Sequence, residues 1–140
     1  MSVREMFIST NKALLDFNKI HSAIKNAYWG SYRTETQTQK TIDNSICYGL
    51  YKDSEQLGFA RVLTDEVAFA YIMDVIIFED YQGQGLGKRL IEYLLDDPRI
   101  KDVLTICLKT KDAHTFYAKY GFTTVGNSDL WMAIDRAKLN

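Results

Sequence analysis

The chain has 140 residues, 46% of them hydrophobic and 25% charged, with one proline and a formal net charge of -1. That is enough apolar material for the core of a single domain over residues 1–140, and the even charge balance argues against a nucleic-acid or membrane surface. Cys47 and Cys107 stand alone in apolar runs, which argues against a disulfide pair or a metal site and for buried thiols in a reducing cytoplasm; the chain shows no signal core and no run near the ~20 apolar residues of a membrane span.

Residues 5–9 predict a short strand. Thr10 or Asn11 can cap the helix that follows, where Leu14, Leu15, Phe17, Ile20 and Ile24 form a stripe near helical spacing. His21 falls beside that stripe, as a packed or half-exposed residue rather than a ligand. Gly30 and Ser31 then break the periodicity among three large aromatics, Tyr28, Trp29 and Tyr32. Residues 36–44 read as a short polar helix. Residues 45–52 and 56–64 are β-branched and aromatic, and Asp53, Ser54 and Glu55 supply the turn that joins them as a hairpin. Asp65 and Glu66 make the next turn, into a long apolar run at residues 67–78 of the kind that helices cover on both faces.

Between that run and an amphipathic segment, Gly83, Gly85 and Gly87 occupy alternate positions. Glycine there permits a sharp turn, leaves no Cβ in a ligand's way, and lets successive amides point outward at the first turn of the new helix. The helix dipole adds partial positive charge and Lys88 and Arg89 add full charges, so a phosphate or pyrophosphate fits this cradle. The helix itself carries Leu86, Leu90, Ile91, Leu94 and Leu95, and Pro98 prevents its continuation. Residues 103–108 predict a buried strand. Asp112 is placed to cap a helix over residues 113–120 that Gly121 stops. Residues 122–125 and 130–134 read as two closing strands around a turn at 126–129. Alternating strands and helices, with antiparallel hairpins at both ends, imply a mixed, twisted α/β sheet rather than a doubly wound one.

The glycines fit neither the dinucleotide fingerprint nor the P-loop. Gln82, Gly85 and Gly87 do satisfy the pattern of Arg or Gln, two residues, Gly, one residue, then Gly or Ala, and the stretch resembles the pyrophosphate loop of the GCN5-related N-acetyltransferase (GNAT) superfamily. A second segment agrees: Ala113, Phe116, Tyr117, Lys119, Gly121 and Phe122 match that superfamily's late helix and turn position by position, with Thr110 where an Asn is usual. The resemblance implies a mostly antiparallel mixed sheet of about six or seven strands flanked by about four helices. It also implies fourth and fifth strands that splay apart, with acetyl-CoA entering the cleft between them.

Carried over residue by residue, the resemblance assigns backbone groups of Val75, Ile76 and Ile77 to the pantetheine arm and the thioester carbonyl. It assigns the amides of Gln82, Gly83, Gln84, Gly85, Leu86, Gly87 and Lys88 to the pyrophosphate, and Thr110 and Phe116 to further cofactor contacts. Tyr117 matches the tyrosine that protonates the departing thiolate. Tyr28, Trp29, Tyr32 and Arg33, on the connection between the first two helices, become acceptor contacts or, alternatively, a cover for one edge of the core. The strand positions where a Glu or His base is usual hold Tyr71 and Met73, which join the acceptor-side set. Asp74 is the adjacent ionisable group; strict alternation turns it to the other face, but a bulge could re-aim it as the base, and the alternative is a hydrogen bond to a neighbouring loop. His114 shares a helical face with Tyr117. The expected activity is direct acetyl transfer from acetyl-CoA to the amine of a small molecule or a protein, without a metal. The alternative is a catalytically weak acyl-CoA-binding module. Homodimers are common in the superfamily, and nothing in this chain specifies one.

Overall fold

In the computed structural model, which describes residues 5–126 and 128–137, a five-stranded sheet carries the first of two units, Met1–Leu108; the second is Lys109–Asn140. The strands are β1 (Met6–Ser9), β2 (Ile46–Lys52), β3 (Glu55–Thr64), β4 (Phe69–Ile77) and β5 (Thr105–Leu108), and they lie in sequence order. β1 to β4 pair antiparallel and β5 joins β4 parallel, so the sheet is mixed and mostly antiparallel, as expected.

Three α-helices cover this sheet: α1 (Phe17–Asn26), α2 (Glu35–Asp43) and α3 (Leu86–Asp96). Period-two alternation divides the core between the two faces. Cys47 of β2 and Phe59 of β3 pack with Ile20 and Ile24 of α1 and Ile42 of α2 on one side. On the other, Leu86, Leu90, Ile91 and Leu94 bury the apolar stripe of α3, and a Cβ on Gly58 would lie 3.4 Å from Leu90. Tyr48, next to Cys47 and so turned to the α3 side, donates a 2.8 Å hydrogen bond to Asp97 in the turn that ends α3. Burial pushes the Cys47 thiol up to about 11, in keeping with a packed thiol; Cys107 is half-buried.

Boundaries differ from the sequence reading where side chains compete for backbone amides. The first helix is divided: Asn11 caps a short 3-10 turn, Lys12–Leu14, and Asp16 then caps α1 through the amide of Lys19. α2 begins with a reciprocal capping box between Thr34 and Gln37. His21 is packed as expected, stacked on Phe17 and 2.8 Å from the Thr38 hydroxyl.

The second unit holds α4 (His114–Ala118). Its cap corrects the sequence reading: the Ala113 amide donates to Thr110 Oγ1 at 3.0 Å, and Asp112 makes no side-chain cap. Gly121 ends the helix with φ 92, the left-handed conformation expected of it. The two closing strands predicted at 122–125 and 130–134 do not form ladders among the described residues, so the sheet has five strands rather than six or seven. Ser128 and Asp135 take the nearby amides of Leu130 and Ala137 locally, a bonding that competes with strand pairing. Part of the predicted turn, at Asn127, lies outside the described residues. No helix among the described residues is long and apolar enough to cross a membrane.

Candidate active site

β4 changes character halfway along. From Ala70 to Ile72 it is paired on both sides, with β3 and with β5; the β5 ladder stops at Ile72 and Leu108. From Met73 to Ile77 only the β3 edge is paired among the described residues; on the other edge the Ile77 carbonyl takes a side-chain donor and no strand covers the rest. Val75, Ile76 and Ile77 lie in this half-paired stretch.

The strand leads into the glycine-rich loop. The Phe78 amide bonds to Leu57 at 3.0 Å, a 3-10 turn (Glu79–Tyr81) follows, and the Gln82 side chain folds back to donate to the Ile77 carbonyl at 3.0 Å. Gly83 has φ 81 and Gly85, which caps α3, has φ 75. Both are left-handed, a conformation that costs an L-residue roughly 1–2 kcal/mol. A Cβ added at Gly83, Gly85 or Gly87 would meet nothing within 4 Å, so these glycines face open space. No side chain caps α3, and its first turn contains no acidic residue. The amides of Leu86, Gly87 and Lys88 precede the first intrahelical bond, from Arg89 to Gly85. Lys88 and Arg89 are exposed in the same turn, so the start of the helix offers unfilled donors and positive charge, which is the chemistry a pyrophosphate requires. Leu86 contributes its backbone only, since its side chain is core; Gln84 is exposed.

A groove of about 900 Å³ runs along the same half of β4, between α1 and the start of the glycine loop. Ser22 and Asn26 line one wall, residues 75–78 the other, and Trp29 closes one end. Beside it Lys19 bonds Glu55 at 3.3 Å, and Tyr81 also donates to Glu55. The Tyr81 hydroxyl and then the Lys19 ammonium hold the Glu55 carboxyl below its usual range.

Asp74 sits at the centre of a β-bulge. Phe59 pairs with Ile76 and Arg61 with Met73, so Asp74 and Val75 together oppose Ala60. Asp74 takes φ 53, uncommon for any residue but glycine. Its Oδ2 accepts from Arg61 Nε at 2.7 Å and from Arg33 Nη1 at 3.3 Å, and all three side chains are buried. Arg61 continues to Ser45 Oγ at 3.1 Å and Met73 Sδ at 3.5 Å. That oxygen is shared by two guanidinium groups, one of them, Arg33, from the neighbouring loop, so the bulge delivers Asp74 to two arginines. Arg33 likewise turns inward rather than towards an acceptor. Arg61 and Ser45 escaped the sequence reading; the available signal was an arginine inside an apolar strand, facing an aspartate inside the next one.

The loop that supplies Arg33 exposes Tyr28 and Tyr32, at 54% and 67%, while Trp29 packs on the core. Tyr71 is half-buried, edge-on to Phe69 at 6.5 Å. In the second unit, Tyr117 is flanked by Phe116 and Phe122 at ring distances of 5.0 and 5.9 Å, and burial raises its phenol, which keeps it protonated. Thr110 accepts the Ala113 amide with its hydroxyl oxygen, which leaves the hydroxyl proton for another partner. His114 is exposed.

Comparison with known proteins bears on this site. Residues 43–124 match the family model of the acetyltransferase (GNAT) domain, a span that includes the hairpin, β4, the glycine loop and α4. The uncharacterized N-acetyltransferase ycf52 of Pyropia yezoensis is 42% identical over 124 residues, covering 85% of this chain and 71% of that protein. A crystal structure of a GNAT-family protein from Xanthomonas campestris superposes with a TM-score of 0.91 at 32% identity, covering 99% of this chain and 98% of that one. A Clostridium acetobutylicum acetyltransferase, solved with acetyl-CoA, shares the fold with a TM-score of 0.64 at 16% identity, over 94% of this chain and 96% of its own.

Proposed function

Because the chain belongs to the GNAT acetyltransferase family and is therefore an acyltransferase, we propose that it transfers the acetyl group of acetyl-CoA directly to the amine of a small molecule or a protein, with residues 1–140 acting as one catalytic domain. The observation that carries this reading is the pairing of an unfilled cradle with a half-paired strand. The free amides at the start of α3 adjoin open space, and they directly follow a stretch of β4 with one edge unclaimed.

Acetyl-CoA supplies an activated acyl thioester. The chain's own contributions follow from what the transfer needs. The amides of Gly83 to Lys88 hold the pyrophosphate against the dipole of α3. Backbone groups of Val75, Ile76 and Ile77 pair with the pantetheine arm and polarise the thioester carbonyl, where negative charge develops as the amine attacks. A bond forms from nitrogen to the carbonyl carbon as the carbon–sulfur bond breaks. The ammonium proton passes to water, since Asp74 is held by Arg61 and Arg33. The departing thiolate takes a proton from Tyr117, whose raised phenol is in the donating form at neutral pH, and the phenolate left behind regains a proton from water. Holding both reactants in one complex supplies much of the rate.

The test is thermal stability with acetyl-CoA, NADH and ATP. A saturable rise with acetyl-CoA alone is expected, as for a ligand that binds only the folded chain; no rise with acetyl-CoA removes the cradle assignment. Tyr117→Phe is then expected to lower amine-dependent thiol release by about 10²-fold or more while leaving acetyl-CoA affinity near native, and equal turnover returns Tyr117 to the core. One observation favours a second reading, an acyl-CoA-binding module of low activity. The carboxylate nearest the reacting strand is engaged by two guanidinium groups. Acetyl-CoA binding without thiol release across a broad panel of amines would select it.

A further inference from the structure

Asp74, Arg61 and Arg33 come from three different parts of the first unit: the bulge of β4, the facing strand β3, and the loop between α1 and α2. They are only 9%, 6% and 6% exposed. One carboxylate against two guanidinium groups leaves a net positive charge in the interior, an arrangement that packed apolar side chains would match or better for stability alone. What the cluster does hold is backbone. Asp74 is kept left-handed, at φ 53, in the one-against-two register that re-aims Val75. The guanidinium of Arg61 grips that bulge from within the sheet, at 2.7 Å.

Arg33 reaches it from outside the sheet. Its loop is itself fixed: the Arg33 amide bonds to Gly30, Lys25 bonds the Ser31 carbonyl at 2.7 Å, and Gly30 lies so close to Ile24 that a Cβ there would fall 2.4 Å from its carbonyl oxygen. Thr34, next in sequence, caps α2. The loop that exposes Tyr28 and Tyr32 therefore connects through one side chain to the bend in the strand that faces the reacting group.

We propose that Arg33 and Asp74 are positioning residues for acyl transfer, their ion pair setting the β4 bulge and hence the direction of the backbone amide at Val75. The inference rests on the acetyl-CoA reading above, which assigns that amide to the thioester arm. It gives Asp74 a role in the reaction without a proton transfer. It also gives Arg33 a role without contact to the acceptor.

Calorimetric affinities for CoA and acetyl-CoA test it, because only the second ligand offers a thioester carbonyl to the bulge. The native protein should bind acetyl-CoA roughly fivefold more tightly than CoA, the worth of one added hydrogen bond. Arg33→Met and Asp74→Asn should each bring that ratio close to one and leave CoA affinity within about twofold. The double variant should lower the ratio no further than Asp74→Asn alone, since that change already removes the contact to Arg33 along with the one to Arg61. Arg33→Lys, which keeps a charged donor within reach of Asp74, should recover most of the native ratio. The infrared carbonyl band of bound acetyl-CoA should rise in frequency in the variants that lose the ratio. Arg33→Met leaves the Asp74 carboxylate in place, so its effect separates positioning from base catalysis, and it remains measurable if Asp74→Asn folds poorly. A native ratio near one, or a native ratio retained in folded Arg33→Met, overturns the proposal alone. Binding of neither ligand to the native protein overturns the acetyl-CoA reading and the proposal with it.

Discussion

Two loops border the half-paired stretch of β4, and they are built by opposite means. The glycine loop after the strand is made of backbone: Gly83 and Gly85 adopt left-handed angles into open space, no side chain caps α3, and amides are left without partners. The loop after α1 is made of side-chain contacts. Gly30 is jammed against Ile24, Lys25 bonds Ser31, and Arg33 is drawn into the interior by Asp74. The glycines alone tell the two apart. Those of the first loop could accept a Cβ without collision and are kept for their angles and for access; Gly30 could not, and is kept for packing. A loop that leaves donors unfilled has room for an anion, whereas a loop that satisfies its own donors holds its side chains in a fixed place.

The contrast is broken most severely at the side-chain end. Asp74→Ala leaves two buried guanidinium groups without their carboxylate, and breaking a buried ion pair in this way costs about 3–5 kcal/mol. Urea denaturation should show that loss, and a change under about 1 kcal/mol would mean that the cluster is solvated and the loop not pinned by it. The glycine loop should respond in the other sense. Gly85→Val meets no neighbour, so its stability cost is limited to the backbone strain of about 1–2 kcal/mol. Its acetyl-CoA affinity, read by calorimetry, should fall about tenfold or more as the side chain enters the cradle and the first-turn amides shift. Unchanged affinity would show that no ligand lies against Gly85.

The same contrast explains what could be read from the chain. The glycine loop was legible because it depends on residue type at consecutive positions and on the amphipathic helix that follows. The late helix with Tyr117 and Gly121, and the hairpin of β2 and β3, were legible for similar reasons: local periodicity and turn residues dictate them. The Asp74 cluster depends on register. Alternation assigned Asp74 a face, but the extra residue opposite Ala60 changes that face, and only the paired strands reveal the extra residue. Arg33 lies 41 residues from Asp74, a separation that no local pattern spans. The closing strands failed differently. Residues 130–134 have strand-like side chains, yet Leu130, Met132 and Ile134 remain exposed and nearby hydroxyl and carboxylate groups take the local amides. Composition announces a strand, but a ladder needs a partner backbone.

The smallest expected effect lies outside both loops and calibrates them. Tyr51 of β2 is buried, stacked on Phe7 at 5.1 Å, and its hydroxyl finds no hydrogen-bond partner among the described residues; it fills the space that Gly49 leaves by lacking a Cβ. Tyr51→Phe keeps the ring and removes the unsatisfied oxygen, so stability at neutral pH should be unchanged or higher by about 1 kcal/mol. The pH dependence carries a definite sign. Burial raises the Tyr51 phenol from 10.0 to about 12. Above pH 10 the unfolded chain therefore loses this proton while the folded chain retains it, which favours unfolding until the folded phenol also ionises near 12. Urea titrations at pH 7 and pH 10.5 should show native stability declining more than that of Tyr51→Phe across the interval. An equal decline in the variant would mean that the native hydroxyl is hydrated and its phenol not raised. Since neither loop touches this ring, acetyl-CoA affinity should match native, and the variant then sets the stability change against which a ligand effect at Gly85 or Arg33 is judged specific.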